Sequence, residues 1–405
     1  MSLKSLTRSA MAAAIAAATL TSPLALAEKP VAPVAPKQAQ PNSPKPPAQE
    51  EHAAQSARPQ IEVVFVLDTT GSMSGLLEGA KQKIFSIASR IATGKPTPRL
   101  KVGLVAYRDE GDEYVTKRFE LSEDLDTVFT NLRQFSAGGG GDTPEHVGRG
   151  LGEAVSKMAW SPNRETMKVI FLVGDAPPAN RGKQWDFQHW AKQAKDKHIV
   201  VNTVRCGGDE ETATAWRYAS KLTDGTFDTI DQSGGMLAVA TPYDAELARV
   251  NAEIASKTLY TGSAEVQTAN MDRAAQMASL APEAAAERIS YMKKAKPTAG
   301  RGAVAASSAP MAVGGATDLA AKPEALMAVP ADELPAQLKG LSKEAQAAKV
   351  KQLAEERKQL EAKAATLAAE RDTWRAKNVA EKSDSFDDRV MKSVRTQAAK
   401  YGVAY

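Results

Sequence analysis

Oxygen-bearing side chains are concentrated in three short segments of the sequence. They are Asp68-Thr-Thr-Gly-Ser-Met-Ser74, Gly138-Gly-Gly-Gly-Asp-Thr-Pro-Glu145 and Gly174-Asp-Ala-Pro-Pro178. Carboxylates and hydroxyls are hard ligands, which suit Mg²⁺ or Mn²⁺ far better than Zn²⁺, and Ca²⁺ also fits where the loops are flexible. The three segments could therefore hold a divalent cation if the fold brings them together.

Alternating strand and helix patterns separate these segments. Residues 61–67 are a nearly continuous run of β-branched and apolar side chains, as in a buried parallel strand, and residues 76–91 have apolar side chains at helical spacing. The alternation continues as far as residue 230. It predicts strands at 61–67, 100–107, 115–121, 167–173, 199–206 and 226–230, and helices at 76–91, 125–135, 146–160, 185–197 and 210–222.

Six strands interleaved with helices predict an α/β fold. The expected architecture is a doubly wound, mostly parallel six-stranded sheet with helices on both faces, followed by an α-helical C-terminal extension. Ligands of such sheets bind beyond the carboxyl ends of the strands. The first and third oxygen-rich segments directly follow predicted strands, and the second precedes a predicted helix, so we expect all three at that edge of the sheet.

The three segments, taken in order, resemble the von Willebrand factor A family, the fold of integrin inserted domains. The first segment matches the family's Asp-x-Ser/Thr-x-Ser signature, the Gly-rich second segment supplies a threonine, and the third supplies an aspartate. The resemblance covers about residues 61–231, within a domain that we expect at 61–235. It implies a Rossmann-like fold with a metal-ion-dependent adhesion site (MIDAS), whose five ligands would be Asp68, Thr70, Ser72, Thr143 and Asp175.

Each of these side chains also has a purely local explanation. The hydroxyls of the first segment could cap the helix that follows, and Thr143 or Asp142 could cap the next helix with Glu145 in its first turn. Asp175 could be a turn residue at the end of a strand. Because the segments occur at strand ends in the expected order, the sequence favours the metal site over these separate explanations.

An acidic turn, Arg108-Asp-Glu-Gly-Asp-Glu113, follows the second predicted strand. That strand should run parallel to the first, so the turn should lie on the same rim as the metal site. The pattern is typical of a solvated acidic turn. The alternatives are a second cation site or a rim that selects the partner.

The N-terminal residues have the layout of a secretory signal peptide. Positive charge comes first, an Ala-rich apolar run follows from Ala10, and small residues stand at Ala25 and Ala27. We expect cleavage after Ala27, which removes residues 1–27 and leaves no stable membrane span, because no other segment has the roughly 18 apolar residues that a span needs. Residues 28–60 contain eight prolines and few large apolar side chains, which predicts a disordered linker.

The chain changes character beyond the predicted sheet. The sequence predicts a helical extension at 236–296, a Gly/Ala/Pro-rich linker at 297–337 and a charged helical segment at 338–405. Leu353, Leu360, Leu367 and Trp374 recur every seven residues, as in a coiled coil. The companion positions are only half apolar, which favours a short pairing with upstream helices and a solvated charged face.

Composition and missing motifs exclude several classes of function. The net charge of only +4 gives no strong positive field of the kind that attracts nucleic acid, so the charge does not indicate a nucleic-acid partner. A single cysteine excludes a disulfide scaffold. The sequence has no Walker loop and no His-Glu-x-x-His motif, and Gly71-Ser-Met-Ser-Gly75 has Met73 where a nucleophile elbow needs serine. We therefore expect no catalytic residue, no organic cofactor and no enzyme activity. A metal-dependent hydrolase lacks a placed general base.

These observations predict an exported, periplasmic or secreted protein-binding module of the adhesion or scaffold kind. Its Mg²⁺ or Mn²⁺, with Ca²⁺ as an alternative, would be held by Asp68, Thr70, Ser72, Thr143 and Asp175. A cation that faces only two carboxylates keeps open coordination positions, so we expect a protein partner to present an Asp or Glu carboxylate. The alternative function is an accessory subunit that docks partners in an enzyme or remodelling complex, and export argues against ATP-driven partners.

Overall fold

One six-stranded sheet forms the centre of the protein. In the computed structural model the strands lie in the order β3-β2-β1-β4-β5-β6. Only β3 is antiparallel to its neighbour, which confirms the predicted mostly parallel sheet. The strands are β1 (Gln60–Asp68), β2 (Arg99–Tyr107), β3 (Thr116–Ser122), β4 (Met167–Gly174), β5 (Val200–Cys206) and β6 (Phe227–Ile230).

The structure describes residues 58–141, 143–233, 235, 239–295, 308–378 and 385–405. The predicted signal peptide and nearly all of the predicted linker at 28–60 lie outside these ranges. Among the described residues, no helix combines the length and apolar composition needed to cross a membrane.

Helices cover both faces of the sheet, as the sequence predicts. Successive side chains of a strand point to opposite faces, so β1 divides its apolar residues between two cores. Val63 and Phe65 pack with the first two helices, and Val64 and Val66 pack with the next three. These helices are α1 (Ser74–Ile91), α2 (Leu125–Leu132), α3 (Val147–Ser156), α4 (Phe187–Asp196) and α5 (Glu210–Leu222).

Among the residues that the structure describes, five further α-helices follow the sheet. They are α6 (Asp244–Ser256), α7 (Ala264–Ala278), α8 (Pro282–Ala295), α9 (Lys343–Asn378) and α10 (Phe386–Ala398). The predicted helical extension at 236–296 contains α6, α7 and α8, and α8 begins at Pro282, because proline is favoured at the first position of a helix and disfavoured inside one.

The final helix, α10, belongs to the core of the sheet domain. Phe386 is buried against Phe65 of β1, with ring centroids 6.1 Å apart, and Val390 and Val394 join the same core. Residues 386–398 of the predicted C-terminal helical segment at 338–405 therefore pack in the same core as β1 and α1.

Part of the predicted linker at 297–337 is also packed. Residues 308–337 contain the 3₁₀ turn Pro323–Ala328 and the start of a second, Ala336–Leu338. Leu319, Leu326 and Leu334 are buried with apolar side chains of α9. The composition of the segment is that of a linker, and the sequence analysis therefore predicts one. In the structure, a few widely spaced leucines attach the segment to α9.

The charged helix α9 buries two of its arginines. Arg357 lies 2.5 Å from Asp318, and Arg371 lies 2.6 Å from Asp244. The helix packs on α6 and α8, as the expected short pairing with upstream helices requires. One face of the helix is therefore paired and buried against these elements, while many of its charged residues on the other side are exposed.

Candidate metal centre

The three oxygen-rich segments meet at the carboxyl edge of the sheet. Asp68 is the last residue of β1, and Asp175 directly follows β4. Because β1 and β4 are parallel neighbours, their ends lie side by side. The topology therefore brings the first and third segments together, as the sequence predicts.

Backbone hydrogen bonds connect the Gly-rich segment to the other two. The Gly138 N–H donates to the Thr69 carbonyl oxygen at 3.1 Å, which joins the second segment to the first. The Glu145 N–H donates to the Pro177 carbonyl at 3.0 Å, and the Glu145 carbonyl accepts from the Ala179 N–H at 2.7 Å. The second segment is thus held between the first and the third.

Glycine is required at position 140 for two reasons. Its φ of +75° lies in the left-handed region, and a Cβ atom built there would stand 2.9 Å from Cβ of Thr70. A side chain would be strained and would push against the first segment. The Gly-rich sequence therefore allows the second segment to approach Thr70 closely.

Asp68 is the most deeply placed of the expected ligands. Its side chain is 0% exposed, and Oδ1 accepts hydrogen bonds from the Thr70 N–H at 2.9 Å and the Thr70 hydroxyl at 2.7 Å. Its other oxygen, Oδ2, is buried and has no hydrogen-bond partner among the described residues. A buried carboxylate oxygen without a partner is costly for the ionised group, so this atom is poised to accept a cation or a proton.

Burial raises the pKa of the Asp68 carboxyl to about 7, against the opposing effect of the hydrogen bonds from Thr70. The nearby Asp175 carboxylate raises this pKa further, which places the two aspartates within electrostatic reach of each other. A cation between them would reverse this effect, because it favours the ionised form of both groups.

Ser72 and Asp175 lie at the outer side of the site. The Ser72 hydroxyl is 3.3 Å from the Thr70 hydroxyl, and Ser72 is exposed. One oxygen of Asp175, Oδ2, accepts a hydrogen bond of 2.5 Å from the Gln232 amide. The structure thus places Asp68, Thr70, Ser72 and Asp175 around one corner of the sheet edge.

Thr143 does not join this group. It is exposed, and its hydroxyl forms no hydrogen bond with any residue that the structure describes. The sequence analysis chose Thr143 because it is the threonine of the Gly-rich segment. The structure does not bring its side chain into contact with the other four residues.

The sequence analysis did not recognise Glu145 as a site residue. Glu145 is 2% exposed, and its Oε2 has no hydrogen-bond partner among the described residues. Burial, followed by the Asp68 carboxylate, raises the pKa of Glu145 to about 8. A glutamate just before a helix is typical of a first helical turn, so no local signal in the sequence distinguishes it from a capping residue.

The acidic turn before β3 is mostly engaged in internal contacts. Asp109 is buried and pairs with Arg181, with 3.0 Å between Nε and Oδ1. Asp112 accepts a hydrogen bond of 3.2 Å from the Gly140 N–H. The turn therefore lies on the rim of the site, as expected, but much of its charge supports the Gly-rich segment and is not free for a partner.

The candidate ligand atoms are of the chemical type that a hard cation prefers. Every candidate atom is a carboxylate or hydroxyl oxygen, and one buried carboxylate oxygen is unpartnered. Within the part of the chain that the structure describes, no three His, Cys, Asp or Glu side chains stand close enough together to hold an ion by themselves. The hydroxyls of Thr70 and Ser72 would therefore be part of the ligand set.

Comparison with known proteins identifies the domain. A family model described as the von Willebrand factor A domain matches residues 62–241. Alpha-protein kinase vwkA of Dictyostelium discoideum is 26% identical over 118 residues, which are 29% of this chain and 18% of that protein. The chain thus spans less than a fifth of the length of this curated relative.

Solved structures of low sequence identity also match the domain. The von Willebrand factor type A protein of Catenulispora acidiphila is 16% identical, with 44% of this chain and 40% of that chain covered and a TM-score of 0.35. Proximal thread matrix protein 1 from the mussel byssus, solved with a zinc-occupied MIDAS motif, is 15% identical, with 42% of each chain covered and a TM-score of 0.31. From the family match and the mostly parallel six-stranded sheet, we conclude that residues 62–241 of this chain belong to the von Willebrand factor A family.

Proposed function

We propose that the chain is an exported protein-binding module that works through a divalent cation at the carboxyl edge of its sheet. Domains of the von Willebrand factor A family are typically interaction or adhesion modules without catalytic activity. The observation that carries the proposal is the buried Asp68 carboxylate: its Oδ2 has no partner among the described residues, and its Oδ1 accepts from the Thr70 hydroxyl, which lies 3.3 Å from that of Ser72.

A cation resolves the electrostatic problem that this carboxylate poses. Burying an ionised carboxylate without a counter-charge is strongly unfavourable, and Asp175 adds a second negative charge nearby. Asp68, Thr70, Ser72 and Asp175 would hold Mg²⁺ or Mn²⁺, and Ca²⁺ is an alternative of the same hard character. Thr143, the fifth residue that the family resemblance implies, belongs to the proposal only if the Gly-rich segment moves.

When bound, the cation offers an open coordination position to an oxygen of another molecule. We propose that the protein partner fills it with the carboxylate of an Asp or Glu, since a hard dication prefers an anionic oxygen. The exposed Ser72 keeps this side of the site accessible. The role is binding, with no catalytic step.

Export is the second part of the proposal. The charged and apolar layout of residues 1–27, with Ala25 and Ala27 before the expected cleavage point, supports entry into a secretion pathway. We therefore place the protein in the periplasm or outside the cell.

A thermal denaturation series tests the metal site. Metal-free protein should gain stability when Mg²⁺ or Mn²⁺ is added, because the ion binds the folded state alone. The gain is about 2.7 kcal/mol at an ion concentration of about 100 times the dissociation constant. Asp68→Ala should remove the metal-dependent rise in Tm, while Asp272→Ala, an exposed aspartate on α7, should retain it. A wild-type protein with no metal-dependent shift would end the proposal.

The partner is sought in the cell-envelope fraction with the same variants. Immobilised wild-type protein should capture a protein in Mg²⁺ and release it in excess chelator, whereas the Asp68→Ala protein should not capture it. Changing the acidic residues of the captured partner one at a time should identify a single essential carboxylate. Capture that persists in chelator would show that recognition does not use the cation.

A further inference from the structure

A cavity of about 340 Å³ lies at the amino edge of the sheet, opposite the edge that carries Asp68 and Asp175. Lys168 is the second residue of β4 and Ile199 directly precedes β5, so the cavity lies where these two parallel strands begin. We call it the basic cavity, because its lining includes Arg164, Lys168, Lys197 and His198, together with Met158 and Trp160. Its volume is sufficient for a small molecule, since such sites measure about 300–1,000 Å³.

Lys168 is the buried cation of the basic cavity. It is 7% exposed, and it forms no hydrogen bond and no ion pair with any residue that the structure describes. Lysine is almost never buried this deeply unless its charge is paired. Burial lowers the pKa of the Lys168 ammonium against the opposing effect of Glu62, and the Arg164 guanidinium lowers it further. An anion in the cavity would supply the partner that this ammonium lacks.

Glu62 lies on the same face of the sheet as Lys168 but is engaged by other groups. The two residues stand opposite each other in the pairing of β1 with β4. The fully buried Glu62 carboxylate accepts hydrogen bonds from the Gln60 amide at 2.6 Å and from the Ser161 N–H at 2.9 Å. The Lys101 ammonium also lies 3.7 Å from its Oε1. Both oxygens of Glu62 therefore have partners, while Lys168 lines the cavity without one.

The remaining charges around the basic cavity are also positive. Lys197 donates to the Val155 carbonyl at 3.0 Å, so part of its effect is to offset the negative end of α3. Arg164 is exposed at the rim. No acidic side chain is among the described residues that line the cavity. Lys168 and Arg164 are therefore the two cations best placed to contact an anion.

We propose that the basic cavity binds a small organic phosphate monoester. Such a group carries a charge of about −1.5 to −2 at pH 7, which matches two cations better than the single charge of a carboxylate. The buried Met158 and the half-buried Trp160 provide an apolar wall against which the organic part of the ligand packs. This site is separate from the metal centre and does not depend on it.

Calorimetric titration with phenyl phosphate tests the proposal. The full chain is first freed of metal ions by dialysis, so that the phosphate cannot bind through a cation. Phenyl phosphate should bind more tightly than inorganic phosphate, which lacks the organic group, and more tightly than benzoate, which carries one charge. Equal or tighter binding of benzoate would overturn the choice of a phosphate. Failure of phenyl phosphate to bind would overturn the site.

Variants of the two cations locate the binding. Lys168→Met removes a buried charge and should weaken phenyl phosphate binding at least about tenfold. Because this change also takes a cation from the neighbourhood of Glu62, the exposed Arg164→Gln is a second variant, which should keep its Tm and bind about two- to fivefold more weakly. Lys351→Met, an exposed lysine of α9, is the control and should bind like the wild type. Unchanged affinity in Arg164→Gln and in folded Lys168→Met would contradict the proposal.

Two further arms separate this site from the metal centre and identify the source of the phosphate. Asp68→Ala should bind phenyl phosphate like the wild type, and loss of binding there would place the anion at the other edge of the sheet and overturn the proposal. Co-sedimentation with vesicles that contain phosphatidic acid tests a lipid headgroup. Sedimentation that Lys168→Met abolishes would assign the phosphate to a lipid, and otherwise the ligand is a free organic phosphate.

Discussion

Arg288 joins the C-terminal helices to the sheet domain through a buried ion pair. Its guanidinium contacts both carboxylate oxygens of Asp126 on α2, at 2.7 and 2.6 Å, and both partners are at most 1% exposed. It also donates to the side-chain oxygen of Asn251 and to the carbonyl of Ser308. Because all these contacts are buried, neither charge can be solvated by water if the other is removed.

We expect Arg288→Met to destabilise the protein by about 3–5 kcal/mol, since it leaves Asp126 charged and buried without a partner. Urea denaturation measures the loss. Arg249→Met is the control, because Arg249 is 57% exposed where it pairs with Glu246, and an exposed pair contributes at most about 1 kcal/mol. Replacing both partners, as Asp126→Leu with Arg288→Met, should recover much of the stability. A single Arg288 variant as stable as the control would contradict this account.

Helix α10 is an element whose position in the chain does not indicate its role. It packs on the same face of the sheet as α1, although the long helical region α6–α9 separates it from β6. Besides its apolar contacts, Gln397 donates to the Asn202 side chain of β5 at 2.7 Å, and Ser393 is 2.7 Å from the Thr226 hydroxyl. The family domain is thus completed by residues outside the matched range.

We expect Phe386→Ala to cost about 3–5 kcal/mol, because it removes a buried ring from contact with Phe65 and leaves a cavity beneath the sheet. Met327→Ala removes a large side chain that is 79% exposed and should change stability by less than about 0.5 kcal/mol. Chemical denaturation of both variants gives the comparison. Equal stability of the two would show that α10 contributes little to the core.

A C-terminal truncation at residue 384 extends the same test to the whole helix. Removing α10 uncovers the apolar side chains of Phe65 and its neighbours on that face, so we expect a lower Tm and binding of a hydrophobic dye. Unchanged Tm and no dye binding would mean that the sheet domain is stable without α10.

At the scale of the whole molecule, the state of the single cysteine can be compared with the proposed location of the protein outside the cytoplasm. Cys206, at the end of β5, is 1% exposed, and burial raises the pKa of its thiol well above the usual value. A buried and protonated thiol is poorly reactive, so it is compatible with the oxidising compartment that we propose.

We expect the mature protein to begin at Glu28. N-terminal sequencing of the protein purified from the envelope or the medium checks this, and substituting Ala25 and Ala27 with bulky residues should cause the precursor to accumulate. A soluble cytosolic protein that begins at Met1 or Ser2 would contradict export and would revive the alternative of an accessory subunit in an ATP-driven complex.

The fold of the sheet domain follows from local sequence patterns. Continuous apolar runs such as that of β1 mark strands buried on both faces, and helical spacing marks the elements between them. The three oxygen-rich segments could be found because parallel strands end at one edge of the sheet. Asp68, Thr70, Ser72 and Asp175 accordingly lie together where the sequence predicts them.

The sequence by itself thus determined the succession of strands and helices along the chain. It also determined the sheet edge at which a site must lie, because the oxygen-rich segments directly adjoin these elements in the sequence. Tertiary structure alone decided that Glu145 is buried while Thr143 is exposed, that Arg357 and Arg371 are buried, and that α10 packs into the core of the sheet domain. Each of these depends on contacts between residues far apart in the chain. Burial of a charged or apolar side chain depends on which residues pack against it, and the hydrophobic periodicity of a local sequence does not contain that information.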